Sequence, residues 1–527
     1  MNIPVSIFND VLGPIMRGPS SSHTAAAWRI SSLACQLLGD KPKTFTVDFS
    51  TDGSLATTYS GQGSDIGIAG GILGCDMESD QIIDSIRLVR EQDIDLRFRI
   101  YDYKNDHPNT YKISLTSVNG TKDEIVAVST GGGMIQIREL NGFRVNILGG
   151  YYENFFYAGK LREGDISKTK ESLLKKFPNC SIEQIDIVSN SDGHLINIKS
   201  SKPIDSNLSS QIANHLNANK IQSANPVLPV LSRADCLVPF TSTAAMLTKL
   251  PDPHSQLSEM ALIYESERGN ISKDEVWALA SGVLKVMRSS LQTGLQGTSF
   301  SDRILARQSH LIDLAVDKKR ILDSPLINAV IRNTTAVMES KSSYHPIVAA
   351  PTAGSCAVVP GTILACAGLY GFSDDECIRA LLAAGMAGVF VATRSTFSAE
   401  VAGCQAECGA ASAMAAAGVV QLLGGTATEA VSAASFALQN LLGLVCDPVA
   451  NRVEVPCLGK NIIGATNAIT SANATMSGYD TLIPFDEVID AMDRIGNSLC
   501  DELCCTGKGG LSTTPTALRI EGNLRSK

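Results

Sequence analysis

Apolar residues recur along this chain with two different periods, and the change from one to the other divides it. Up to about Asn141, residues 44–49, 95–101, 112–116, 125–128 and 134–138 form short β-rich runs. A period of two puts one face of a strand against a core. Two segments, 25–38 and 79–91, instead repeat their apolar residues at helical spacing, so the first stretch reads as α+β rather than as an alternating dinucleotide-binding fold.

From residue 142 to about 231 the order becomes strand (143–148), helix (166–177), two strands (182–188 and 194–199), helix (206–216) and strand (221–228). This βαββαβ order is that of the ferredoxin-like split unit, a frequent home of small regulatory ligand-binding modules. A linker domain with no ligand has the same pattern. After Arg233 the chain turns almost wholly helical, broken by glycine-rich segments at 351–361, 424–426, 446–461 and 506–514. Such loops between buried helices are where chemistry is expected. The reading is a multidomain α+β chain: an N-terminal α+β domain (1–141), a βαββαβ domain (142–232) and a C-terminal all-α domain (233–527).

A chain of 527 residues, 44% hydrophobic, can bury several cores. Its net charge of -9, with both signs interspersed, makes no electrostatic footprint for nucleic acid or an anionic membrane, which favours a small-molecule substrate. The N-terminus has no basic region followed by an apolar core, so no secretory signal is read and a cytoplasmic location is expected. The most apolar stretches, 347–367 and 410–423, are broken by small and polar residues, the mark of buried helices rather than membrane spans.

Fourteen cysteines in a reducing compartment argue against a disulfide framework, and ten of them follow residue 350. Cys404, Cys446 and Cys457 lie in Gly-, Pro- and Ala-rich surroundings and look like three ligands of one metal cluster. Three thiolates leave one corner of a cubane without a protein ligand, and an iron with an open position acts as a Lewis acid. Their spacings fit neither ferredoxin runs nor zinc-finger pairs.

The run Gly18-Pro19-Ser20-Ser21-Ser22-His23-Thr24 surrounds a helix N-terminus with hydroxyls and an imidazole, a ready anion site or a plain cap with a surface histidine. A second loop, Ala350-Pro351-Thr352-Ala353-Gly354-Ser355-Cys356, offers backbone donors and hydroxyls, or is simply a helix-entry turn.

Together, segments 18–24, 349–361, 400–407, 414–425, 446–461 and 509–511 resemble, in one order, the iron–sulfur L-serine dehydratases (L-serine ammonia-lyases). The resemblance covers nearly the whole chain and implies a β domain, an ACT-like domain and an α domain. It implies a [4Fe-4S] cluster held by Cys404, Cys446 and Cys457, no pyridoxal phosphate, and β-elimination of L-serine to pyruvate and ammonium with the cluster as Lewis acid. Ser20, Ser21, Ser22, Thr24, Thr352, Ser355 and Asn461 are then substrate-binding candidates. His23 is the proton-transfer candidate, because imidazole titrates near neutrality. A homodimer is expected, with no nucleic-acid or membrane partner.

The chain departs from the family pattern in places. Where the family's β domain commonly reads Gly-His-Gly-Thr-Asp, this chain has Gly61-Gln62-Gly63-Ser64-Asp65, and glutamine cannot shuttle a proton. His345 stands where small residues are usual, and Gly459-Lys460 where a basic pair is expected. Cys408, Cys504 and Cys505 are extra thiols; Cys408, four residues after Cys404, would share its helix face, with packing the plainer role. Two rival readings are a lyase with another leaving group, such as a cysteine desulfidase, and a catalytically silent, amino-acid-responsive regulatory protein.

Overall fold

The computed structural model describes residues 3–18, 20–159, 165–300 and 303–525. The chain divides into two units, one spanning Ser22–Cys236, the other formed by Pro4–Ser21 with the chain from Leu237 onward. The first strand, β1 (Ile15–Met16), belongs to the second unit.

Six strands of the first unit make one sheet: β2 (Pro42–Ser50), β3 (Asp95–Tyr101), β4 (Thr110–Ser117), β5 (Lys122–Gly131), β6 (Met134–Leu140) and β7 (Phe143–Ile147). Their order is β3-β2-β4-β5-β6-β7, antiparallel except for the β2/β3 pair. Alternation turns Phe45, Val47, Phe49, Ile113 and Leu115 into a core shared with Ile30, Leu33 and Leu37 of the helix Ser21–Leu38. A helix at Ser64–Leu73, not anticipated, starts after Gly63 at φ +82°. It lies hard against the helix Ser21–Leu38 because it presents glycine there: a Cβ on Gly71 would sit 2.0 Å from Ser31 Oγ. The segment 79–91 is a 3₁₀ turn (Asp80–Asp84) followed by a short α-helix (Ser85–Glu91).

The βαββαβ order is present with a different first strand. Phe143–Ile147 does not open that unit; it is β7 of the larger sheet, joined to β6 by a hairpin with Leu140 opposite Phe143. Asn141 and Gly142, at φ +51° and +76°, form the tight turn that an Asn-Gly pair favours. The unit opens instead with β8 (Tyr152–Ala158), followed by β9 (Ile182–Asn190), β10 (Gly193–Ser200) and β11 (Ala218–Ala224), in the order β11-β8-β10-β9, all antiparallel. Phe156, Ile196 and Ile198 pack with Leu173, Ile212 and Leu216 of the helices Asp165–Lys176 and Ser206–Leu216. From the opposite face Phe155, Leu195 and Ala224 join the core of the larger sheet. That face also buries polar groups: Asn197 Nδ2 donates to Glu153 Oε2 at 2.8 Å, and Lys220 pairs with Asp123 at 2.7 Å.

The second unit is helical. Every residue of its helix Ala410–Leu422 is buried. The helix Asp374–Arg394 has the length and hydropathy of a membrane span, yet 78% of its apolar window is covered by the rest of the protein. Residues 4–21 are tied in by polar bonds: Glu265 Oε2 accepts from the Ile7 amide at 2.8 Å, Tyr264 Oη donates to Val5 O at 2.9 Å, and Arg268 Nε to Pro4 O at 3.1 Å. β1 then pairs antiparallel with β12 (Ile347–Val348), Ile15 opposite Val348. The chain leading to Ser20 and Ser21 therefore starts out beside the strand that leads to Thr352.

Candidate metal centre and its surroundings

Cys404 follows Gly403, whose φ of +69° no β-carbon would tolerate here: a Cβ would lie 2.9 Å from Leu444 O. Beyond Cys404 the backbone makes a π-helical turn, Gln405–Gly409, before the helix Ala410–Leu422. Gln405 locks the turn, donating its amide N–H to Leu444 O and its Nε2 to Met492 O, and accepting from the Gly443 amide at Oε1. Cys446 is held by an isolated bridge to Cys504, with the Cys505 amide donating to Cys446 O at 2.9 Å. Cys457 is the first residue of the helix Cys457–Met476.

All three cysteines are buried, at 1%, 3% and 5% exposure. Cys404 Sγ, Cys446 Sγ and a carboxylate oxygen of Glu407 lie within 4.8 Å of one another. Cys408 Sγ is 4.0 Å from Cys404 Sγ, so the π-helical turn does bring the extra thiol to the same place. Hydrogen bonds from Cys408 and Cys446 hold the Cys404 thiol well below the usual range. The same bonds push Cys408 and Cys446 up, and burial, then the charge on Cys404, pushes Cys457 up. Cys404 is the member whose thiolate form its neighbours favour. Buried thiols converging in this way are soft donors suited to a soft metal or cluster.

Around them stands a polar frame that the sequence reading only partly anticipated. Thr352 Oγ1 donates to Glu407 Oε1 at 2.6 Å and accepts from the Gly354 amide at 3.1 Å. Ser355, fully buried, donates to Ala350 O at 3.2 Å and lies 3.2 Å from Thr352 Oγ1. Burial, then the charge on Cys404, raises the Glu407 carboxyl well above the ordinary range. Asn461 was expected to bind substrate, but its amide is already engaged: Nδ2 donates to Gly354 O at 2.7 Å and Cys457 O at 2.8 Å, while Oδ1 accepts from the Ala357 amide at 3.2 Å. It is a strut between the Thr352 loop and the helix carrying Cys457.

Lys460 reaches Asp447 Oδ1 and Val445 O, each at 2.6 Å, and Asp447 Oδ2 takes the Leu511 amide at 2.9 Å, which accounts for the Gly509-Gly510-Leu511 motif. Burial pulls Lys460 down, but the Cys404 thiolate and Asp447 outweigh it and leave its pKa raised. Lys341, in the last turn of the helix Pro325–Ser342, is fully buried and donates Nζ to Val453 O. Sequence reading missed both Glu407 and Lys341 as site residues. A Glu in a Cys-containing motif was a signal; a Lys among serines was none.

In the second unit Ser20 is half-buried, while Ser21 is buried and donates to Gly18 O at 2.7 Å. His345 is half-buried, its amide donating to Ser340 O at 3.1 Å. In the first unit Ser22 and His23 are half-buried, and buried Thr24 donates Oγ1 to the Gln62 carbonyl at 3.4 Å. The serine–histidine turn and the departing Gln62 thus meet through Thr24. Gln62 Oε1 is buried with no hydrogen-bond partner among the described residues.

Residues 252–512 match the family described as serine dehydratase alpha chain, and residues 8–139 the family described as serine dehydratase beta chain. A probable L-serine dehydratase alpha chain of Bacillus subtilis is 38% identical over 268 residues, 51% of this chain and 89% of the relative. The L-serine dehydratase alpha chain of Peptoniphilus asaccharolyticus is 35% identical over 267 residues, 50% of this chain and 91% of the relative. A probable beta chain of Bacillus subtilis is 43% identical over 146 residues, 28% of this chain and 64% of the relative. Both regions lie in one polypeptide, and the chain belongs to the serine dehydratase family.

Proposed function

We propose that this chain is a lyase that deaminates L-serine to pyruvate and ammonium by β-elimination. The observation that carries the reading is the buried convergence of Cys404 and Cys446 beside the Thr352–Glu407 pair, in a chain whose relatives are named L-serine dehydratases. The resident cofactor in this reading is a [4Fe-4S] cluster held by Cys404, Cys446 and Cys457. The donor set suits it: three buried thiols, with the thiolate form favoured at Cys404. When bound, such a cluster supplies a Lewis-acidic iron that makes the β-hydroxyl a better leaving group.

The remaining roles belong to the chain's own side chains. Thr352 donates its O–H to Glu407 in a hydrogen bond, so what its oxygen can still offer a substrate is an acceptor, suited to the ammonium group. Ser355 fixes that hydroxyl from below. Asn461 keeps the Thr352 loop in register with Cys457. Ser20, Ser21, Ser22 and Thr24 are assigned to the polar ends of the substrate, and His23 to moving the Cα proton. The βαββαβ unit is read as ACT-like, and the working form as a cytoplasmic homodimer.

Anaerobic reconstitution with iron and sulfide, followed by assay of pyruvate, ammonium and sulfide from L-serine, L-threonine and L-cysteine, tests the reading. Pyruvate and ammonium from L-serine are expected. Full iron and sulfide loading with no turnover of any of the three amino acids would sink it, and sulfide from L-cysteine as the dominant product would transfer the assignment to a desulfidase.

A further inference from the structure

Lys341 has no counterion of its own. Its side chain is 0% exposed, its one hydrogen bond goes to the Val453 carbonyl, and among the described residues it forms no ion pair. Two N–H donors of the ammonium group are left over. The acidic groups near enough to feel its charge are Cys356, Cys457, Glu454 and Glu407. Glu454 is occupied, its oxygens accepting from the Ile304 and Leu305 amides at 3.0–3.2 Å, and Glu407 accepts from Thr352. Burial holds the Cys356 thiol up at about 12, so it stays neutral.

An ammonium group without a partner is costly in the interior, so burial lowers the pKa of Lys341, and an anion arriving beside it would offset that cost and favour the charged form. The place is telling. Lys341 donates to Val453 O, four residues before Cys457, and its helix packs against the helices Val358–Tyr370 and Cys457–Met476. We infer that Lys341 binds the carboxylate of the amino-acid substrate through its two free N–H donors. This rests on the L-serine reading above and deepens it, giving the site a buried amine whose charged form an α-carboxylate would favour.

The test uses reconstituted holoprotein and two probes that have no leaving group to lose in this reaction or lack the carboxylate: L-alanine and ethanolamine. A hydrogen-bonded charge pair is worth roughly 1.5–3 kcal/mol, so Lys341→Met and Lys341→Gln are each expected to weaken L-alanine binding in calorimetry about tenfold to a hundredfold. Ethanolamine affinity and iron content should stay as in the wild type, and for L-serine KM should rise by more than kcat falls. The melting temperature of Lys341→Met should hold or rise, because a buried amine with unpaired donors has been replaced by an apolar chain of similar length. Undiminished L-alanine binding in both variants overturns the inference while leaving the serine reading intact. A lowered melting temperature with equal loss of iron and of both probes overturns it in favour of a structural lysine. A wild-type holoprotein that neither binds L-alanine nor turns over L-serine removes the serine reading and this inference with it.

Discussion

Thr352 Oγ1 and Glu407 Oε1 are 2.6 Å apart, and the other oxygen of the same carboxyl group lies 3.8 Å from Cys404 Sγ. One side chain thus ties the hydroxyl loop that follows β12 to the first of the converging cysteines. Because the carboxyl is pushed towards its neutral form by burial and by Cys404, the Thr352 bond fixes its orientation more than it balances a charge.

Thr352→Val removes that bond and leaves a part-buried carboxyl oxygen without its partner, a loss of about 1–3 kcal/mol. Thr352→Ser keeps the hydroxyl. Valine is expected to lower kcat/KM for L-serine at least tenfold at unchanged iron content, with serine close to wild type. Equal activity in the valine variant would remove the hydroxyl from the site.

Gly354 leaves room for the same carboxyl. A Cβ there would stand 2.5 Å from Glu407 Oε1 and 2.9 Å from its carboxyl carbon, closer than real side chains pack. Gly354→Ala must therefore displace Glu407 from Thr352, and should reproduce the kinetic defect of Thr352→Val. The double variant should be little worse than either single one, the mark of two changes acting on one contact. Additive losses would show that the glycine acts elsewhere.

Cysteine replacements separate ligand from neighbour. Cys446→Ala should lower iron per chain after reconstitution to a small fraction of wild type and abolish activity. Cys408→Ala should retain most of the iron, because Cys404, Cys446 and Cys457 all remain, although a thiol 4.0 Å from Cys404 has been removed. Loss of iron in the Cys408 variant equal to that in the Cys446 variant would put Cys408 in the ligand set.

The strands and helices that alternation or helical spacing marks out were legible, and the order βαββαβ among them. Phe143–Ile147 was misplaced because its pattern alone does not name a partner; the Asn141-Gly142 pair, which makes it the last hairpin of the larger sheet, carried the missing information. The helix Ser64–Leu73 hid behind a glycine-rich start that reads as a loop. Cys404, Cys446 and Cys457 stood out through their surrounding motifs; spacing alone does not join residues so far apart in sequence, and Cys404 and Cys446 converge by tertiary folding. Lys341 was illegible for the same reason: in Glu339-Ser340-Lys341-Ser342 it reads as a solvated helix face, and it is buried by the packing of its helix against the helices Lys273–Gln296, Val358–Tyr370 and Cys457–Met476.

Glu153 gives stability a pH dependence outside the cysteine site. The residue is buried in β8, with Oε1 unpartnered among the described residues, and burial raises its carboxyl to about 7 against the pull of Lys199 and Asn197. The unfolded chain loses this proton near 4.5, while the folded chain keeps it to about 7. Between those values the folded state binds more protons, so the stabilising contribution is complete below about 4.5 and is lost as pH rises to about 7. The loss amounts to about 3 kcal/mol. Glu153→Gln, an uncharged side chain of the same shape, should match wild type in urea unfolding at pH 5 and exceed it at pH 8 by up to that amount. Parallel pH profiles for the two proteins would mean that Glu153 is ionised in the folded state at neutral pH, with Lys199 as its effective counterion.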